Sequence, residues 1–156
     1  MSDELDKKDI EILKRLKNDS RTPMGVIGDQ IGISKATVSR RVARMEDENI
    51  IKNYSMNIDL SGMGIMKSLV SIQVMGGVST VIDYLKEYEE IGTVYKTFGD
   101  HNLVCEVYTH NVDELYEMIQ NKILKIMSIR NVEVDVLIGD VTLHENADIK
   151  LYEKGE

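Results

Sequence analysis

Apolar residues recur every three or four positions through the first fifty residues of the chain, and every second position in several stretches beyond residue 65. The first spacing is that of one helix face, the second that of one strand face. Ile10, Ile12, Leu13 and Leu16 predict a helix ending near Asn18, opened by the acids Asp6 and Asp9 in the arrangement of a capping pair. Thr22-Pro23 predicts the start of a second helix, with Thr22 as the cap and Pro23 in the first helical position, where its missing amide costs nothing. Val26, Ile27 and Ile31 form its apolar side and Gly32 stops it. A third helix follows a cap at Ser34, with Val38, Val42 and Met45 on its buried stripe and Asn49 closing it in a left-handed turn. Three short helices with a tight turn between the second and third make a helix-turn-helix, with Val26, Ile27, Val38 and Val42 expected in its core.

Residues 50–59 read as extended chain, and Ser61-Gly62-Met63-Gly64 breaks it. The period then changes. Val70, Ile72 and Val74 alternate with polar residues as a half-buried strand, and Val81, Ile82, Leu85 and Tyr88 return to helical spacing. Residues 94–98 and 103–108 predict a hairpin about a turn at Gly99-Asp100-His101-Asn102. Leu115, Ile119, Ile123 and Ile126 predict another helix, and Val132, Val134, Val136 and Ile138 a final strand. The order β-α-β-β-α-β is that of a ferredoxin-like domain. The fold class expected is therefore α+β: a three-helix winged helix-turn-helix over residues 1–52, an extended linker strand over 53–64, and a ferredoxin-like domain over 65–156. Residues 141–152 form a tail that adds an edge strand or crosses to a partner.

Charge sharpens this division. The net charge of −8 lies entirely beyond residue 60, since residues 1–60 carry 11 cations and 11 acids. Within the neutral half, residues 34–44 hold Lys35, Arg40, Arg41 and Arg44 and no acid. A basic helix on an acidic protein points to double-stranded DNA. Projected at 3.6 residues per turn, Ala36, Arg40 and Ala43 lie opposite the apolar stripe with Arg44 beside them. The small alanines let the helix lie close to a groove, and Arg40 and Arg44 are placed to reach guanine edges or phosphates. Lys35 and Arg41 flank that face as phosphate contacts, and amides at the Ser34 cap can meet a phosphate. Thr37 and Ser39 complete the candidate DNA-binding set of Ser34, Lys35, Ala36, Thr37, Ser39, Arg40, Arg41 and Arg44.

Other chemistry finds little support. The 42% hydrophobic content is ample for a packed core, but no apolar run has membrane-spanning length. The acidic N-terminus does not read as a secretory signal, and the one cysteine, Cys105, sits among apolar residues as a core thiol, so the expected compartment is the cytoplasm. His101 between Asp100 and Asn102 has no nucleophile or second base with it, His110 and His144 are too scattered for a metal site, and the nine methionines read as core filler. Neither an enzyme nor a cofactor is expected.

Taken together, the whole chain resembles the Lrp/AsnC family of bacterial and archaeal transcription regulators. The resemblance is carried by Leu5-Asp6-x-x-Asp9-Ile10-x-Ile12-Leu13; by Gly32-Ile33-Ser34-x-x-Thr37-Val38 with Arg40, Arg41 and Val42, then Met45-Glu46, Ile50-Ile51 and Tyr54; and by Thr97-Phe98-Gly99-Asp100. It implies a sequence-specific DNA-binding regulator whose second domain dimerises through its sheet, with dimers assembling into octamers or larger rings. It also implies a small effector, often an amino acid, held near Phe98, Gly99, Asp100, His101 and Asn102, and a linker about residues 54–59 that pairs with its copy in a second protomer. The chain departs from the family pattern in three places. His101 and Asn102 stand where an aromatic and an Asp are frequent, and Asn102 offers an effector's ammonium no charge. Gly28 stands where Ala is common, and Asn49 replaces a usual Gly. An architectural DNA-packing protein with low sequence preference and no effector is the alternative reading.

Overall fold

Asp6 opens the first helix as expected. Its side chain accepts from the amides of Lys8 and Asp9, and the Asp9 side chain accepts from the Asp6 amide, closing a capping box ahead of α1 (Lys7–Asn18). The computed structural model describes residues 4–154. They form two compact units, one built from the residues up to 57 together with those from 141 onward, the other from residues 58–140.

In the first unit α1 is followed by α2 (Met24–Ile31) and α3 (Lys35–Asp47). Ile12, Leu16, Ile27, Ile31, Val38, Val42 and Met45 form one buried cluster where the three helices meet. Each such side chain contributes about 1.5–3 kcal/mol by leaving water. Val26 is not among them: it is 43% exposed, because α2 presents Ile27 and Ile31 to the cluster and turns Val26 outward. Nor does Thr22 cap α2. Its hydroxyl donates back to the Asp19 carbonyl, and Pro23 takes the cap position without a side-chain bond.

The turn between α2 and α3 depends on two glycines. Gly32 ends α2 at φ 72°, a left-handed conformation that costs glycine little. Gly28 lies under the returning chain, where a Cβ would come within 2.5 Å of the Ile33 carbonyl oxygen. The Ile33 amide donates to the Gly28 carbonyl at 3.0 Å, so the two segments are bonded at that approach. After α3, Asn49 turns the chain at φ 58°, and the amides of Ile50 and Ile51 both donate to the Met45 carbonyl.

The linker expected over residues 53–64 carries no strand pairing in the single chain; it ends in a 3₁₀ turn at Ser61–Met63. The tail also differs from expectation. Residues 147–154 form a helix, α6 (Ala147–Lys154), and pack with the first unit rather than extending the sheet. Glu153 meets Lys14 at 2.7 Å, Asp148 meets Lys17 at 2.5 Å, and the Tyr152 hydroxyl accepts from the Leu5 amide. The four apolar residues of this segment, Ala147, Ile149, Leu151 and Tyr152, fall on two sides of the helix, so its periodicity is weak, and ion pairs to α1 with the Tyr152 hydrogen bond help hold it.

The second unit has the expected order: β1 (Met66–Val74), α4 (Val78–Leu85), β2 (Ile91–Lys96), β3 (Leu103–Thr109), α5 (Val112–Asn121) and β4 (Ile129–Leu137). The antiparallel sheet runs β2-β3-β1-β4. Val70 and Ile72 of β1 and Leu103, Cys105 and Val107 of β3 are buried with Val81 and Leu85 of α4 and Leu115, Met118 and Ile119 of α5. Three boundaries moved. β2 begins earlier and stops at Lys96, so Phe98 lies outside it. The helix expected through Ile126 breaks into α5 and a 3₁₀ turn at Ile123–Lys125. β4 ends at Leu137, leaving Ile138 fully exposed.

The Gly28 contact yields a test. Gly28→Ala gains about 1 kcal/mol of helix propensity, but the added carbon must displace backbone rather than a pliable side chain, an overpacking cost of about 1–3 kcal/mol. We expect a net loss of stability in urea unfolding of the full chain; a more stable variant would refute the close approach.

Candidate nucleic-acid interface

Ser34 caps α3 by accepting from the Thr37 amide at 3.1 Å, and its hydroxyl shares a 2.8 Å bond with the Thr37 hydroxyl. With its start fixed this way and Val38, Val42 and Met45 buried, the helix can present only one face. Lys35, Ala36, Ser39, Arg40 and Ala43 are all exposed on it, and Thr37 is half-buried at its edge. This matches the face derived from helical spacing. Arg40 makes no hydrogen bond or ion pair among the described residues.

Arg41 and Arg44 do otherwise. Arg41, expected as a phosphate contact, donates through Nη1 to Asp6 Oδ2 at 2.7 Å and to Asp9 Oδ1 at 2.9 Å. Arg44, expected beside Arg40 on the groove face, donates through Nη2 to Asp9 Oδ2 at 2.6 Å. Asp9 is 1% exposed. A buried carboxylate is costly unless opposite charge and hydrogen bonds surround it, and Asp9 has two guanidiniums and the Asp6 amide. So two of the four cations of this helix bind α3 to α1. The Arg41 guanidinium is held further toward its charged form, first by Asp9 and then by Asp6. For Asp6, desolvation works against ionisation, but the Asp9 amide, Arg41 and the Lys8 amide outweigh it and hold the carboxyl below its ordinary value. Lys8 adds a further tie by donating to the Ile31 carbonyl at the end of α2.

Asp6, Arg40, Arg41 and Arg44 together line a cleft of about 260 Å³. Free Arg40 and paired Arg41 therefore share one recess beside the exposed face. Reading Asp9 only as a helix cap missed its second role. The signal was available in part: two acids three residues apart at the start of one short helix, and an excess of cations on another, within a segment, residues 1–60, of zero net charge.

In the second unit the hairpin residues do not converge on one point. Phe98 is fully exposed, Gly99 and Asp100 are exposed, and His101 and Asn102 are half-buried. Asn102 holds the loop to the sheet. Its side-chain oxygen accepts from the Val74 amide at 2.6 Å, its own amide donates to the Ile72 carbonyl, and its carbonyl accepts from the Thr97 amide. The oxygen expected to face an effector is thus spent where the β1–β4 register shifts between Gln73 and Val74. His101 Nε2 lies 3.5 Å from Glu133. On the sheet face opposite the helices, Lys67 pairs with Glu106 at 2.7 Å, and the Tyr95 and Tyr108 hydroxyls both donate to Glu106. This polar cluster was not anticipated. No group of three metal-ligating side chains occurs among the described residues, and no helix there is long and apolar enough to cross a membrane.

Comparison with known proteins agrees with this geometry. Residues 5–52 match the family described as winged helix-turn-helix DNA-binding, and residues 68–145 match the Lrp/AsnC ligand binding domain. The chain is 34% identical over 135 residues to the HTH-type transcriptional regulator LrpA of Pyrococcus horikoshii, covering 82% of this chain and 92% of that protein. Among solved structures, E. coli AsnC superposes with a TM-score of 0.78 at 22% identity, covering 90% of this chain and 96% of that one. A transcriptional regulator from Neisseria meningitidis, solved as a complex with L-methionine, superposes with a TM-score of 0.78 at 13% identity, covering 88% and 92%.

The buried carboxylate supplies the test. Asp9→Ala removes the shared partner of Arg41 and Arg44 and one half of the capping box. We expect a loss of about 3 kcal/mol in chemical unfolding, at the low end for breaking a buried ion pair because both arginines reach solvent. A loss under about 1 kcal/mol would mean that the network does not hold α3 to α1.

Proposed function

Because the chain belongs to the Lrp/AsnC family of transcription regulators, we propose that it reads DNA chiefly through Arg40, with Ala36 and Ser39 beside it against the groove. A regulator of this family is a DNA-binding protein with a ligand-binding domain and not an enzyme. The observation carrying the finer reading is that Arg40 is exposed and unpaired while Arg41 and Arg44 are bonded to α1. A free guanidinium forks onto the O6 and N7 of guanine. Lys35 and the capped helix start at Ser34 and Thr37 take phosphate. Arg41 meets a phosphate at the rim of the cleft, and Arg44 stays with Asp9 as a support. The protein assembles as a dimer through the sheet face carrying Lys67 and Glu106, and dimers build octamers. Two copies of α3 then meet successive major grooves about 34 Å apart. Its place is the cytoplasm, with the DNA it reads.

For the second unit we propose an amino-acid effector bound beside the 98–102 hairpin. The matched ligand-binding family and the methionine complex of the Neisseria regulator support this. Asp100 is the exposed acid of that loop, so it, and not Asn102, is placed to hold the ligand's ammonium.

Selection of bound duplexes from a random pool will supply an operator. Against it, Arg40→Ala should lose about 1–3 kcal/mol and relax choice at one base position, whereas Lys35→Ala should weaken all sequences alike and reduce the salt slope by about 1. Equal losses on operator and random DNA from Arg40→Ala would sink its base-reading role. For the effector, thermal shift with the twenty amino acids should show stabilisation by at least one, abolished by Asp100→Ala; no shift with any would reject an amino-acid ligand.

A further inference from the structure

Asp6 and Asp9 both accept from Nη1 of Arg41, yet they stand in different surroundings. Asp9 is buried and also holds Arg44, so it cannot leave without unfolding the contact between α1 and α3. The Asp6 side chain is 52% exposed and meets no other cation among the described residues. Its two oxygens divide their work. Oδ1 caps α1, accepting from Lys8 at 2.8 Å and Asp9 at 2.9 Å, while Oδ2 accepts from Arg41. Losing the Arg41 contact therefore leaves the helix cap intact, and Arg41 leaving Asp6 keeps its bond to Asp9. The contact opens into the cleft that Arg40 also lines.

We infer that Asp6 is an intramolecular competitor for DNA phosphate: its Oδ2 occupies the place on Arg41 that a backbone phosphate takes when DNA docks against Arg40. This rests on the assignment of Arg41 to the DNA rim. One singly charged oxygen ligand exchanges for another on an arginine that never has to leave its buried anchor. Arginine favours the exchange, since its planar fork suits phosphate as well as carboxylate. Phosphates carry no base information, so the competition weakens binding to every sequence alike. Non-specific binding consists almost wholly of such contacts, and it is there that Asp6 removes the larger share.

The test is a salt series on four full-length proteins: wild type, Asp6→Asn, Arg41→Gln and the double variant. Each is titrated with the selected operator and with a random duplex of equal length. Asn caps helices as well as Asp, so α1 is retained; Asp6→Ser is the second cap-preserving variant if Asp6→Asn does not fold. Asp6→Asn should tighten both duplexes by about three- to tenfold near 100 mM salt while leaving the slope of log affinity against log salt nearly unchanged, since the same Arg41–phosphate contact forms in both complexes. Arg41→Gln should flatten the slope by about 0.9 per DNA-binding unit, and adding Asp6→Asn to it should then change the affinity little. Equal tightening with and without Arg41 would reduce Asp6 to a plain negative charge near DNA and overturn the proposal. So would a flattened slope with Arg41→Gln and no effect of Asp6→Asn. If Arg41→Gln leaves the slope unchanged, the assignment of Arg41 to the DNA rim fails instead, and the competitor falls with it.

Discussion

A carboxylate buried to 1% exposure needs cations around it, and the first unit is arranged about that need. Asp9 sits in the first turn of α1, bonds the amide of the Asp6 cap, and takes a guanidinium from each of two residues on α3. The apolar cluster of Ile12, Ile27, Val38 and Met45 supplies most of the burial energy, but such contacts are non-directional. The apolar stripe turns Arg40 outward, and the directional bonds to Asp9 hold α3 to α1 in that orientation.

This explains why the recognition surface was only partly legible. Helical spacing located Val38 and Val42 inside and Ala36 and Arg40 outside, because apolar burial follows period directly. The same projection gave Arg44 to the groove, and the structure gives it to Asp9. Periodicity says which way a side chain leaves the helix axis, not where a long arginine ends, and a guanidinium has reach enough to choose between solvent and a buried acid. Gly28 was visible as an unusual residue for a helix interior. The carbonyl that makes it necessary comes from Ile33, which only the folded turn brings to 2.5 Å of the missing Cβ.

The second unit was more legible in its order than in its chemistry. Alternation along β1 set its buried face, and β1 and β3 are central strands that both show a strictly alternating burial pattern. Edge strands followed less closely: Val134 and Val136 of β4 keep the alternation yet remain exposed, since no helix covers them fully. At the hairpin, residue types suggested a ligand. Asn102 instead satisfies the Val74 amide, which lies beyond the end of the β1–β3 pairing at Ile72 and Leu103. A side chain that meets a backbone need of its own fold is poorly free to meet a ligand, which is why the proposed ammonium contact is given to exposed Asp100.

The two units handle charge in opposite ways, and the contrast bears on how such a protein binds DNA. An acidic second half repels phosphate over a Debye length of about 8–10 Å, so contact must be confined to one face of the first unit. That face then carries less positive charge than its sequence suggests, because Asp6 and Asp9 claim Arg41 and Arg44. Four cations without internal partners would grip any duplex; two exposed ones give a weaker grip, leaving more of the discrimination to the base contact proposed for Arg40. In the proposed dimer, linked sites gain from effective concentration what each lacks in affinity. The acids of α1 and the proposed pairing of two α3 helices then work together: low affinity per DNA-binding domain is recovered where two correctly spaced half-sites are present.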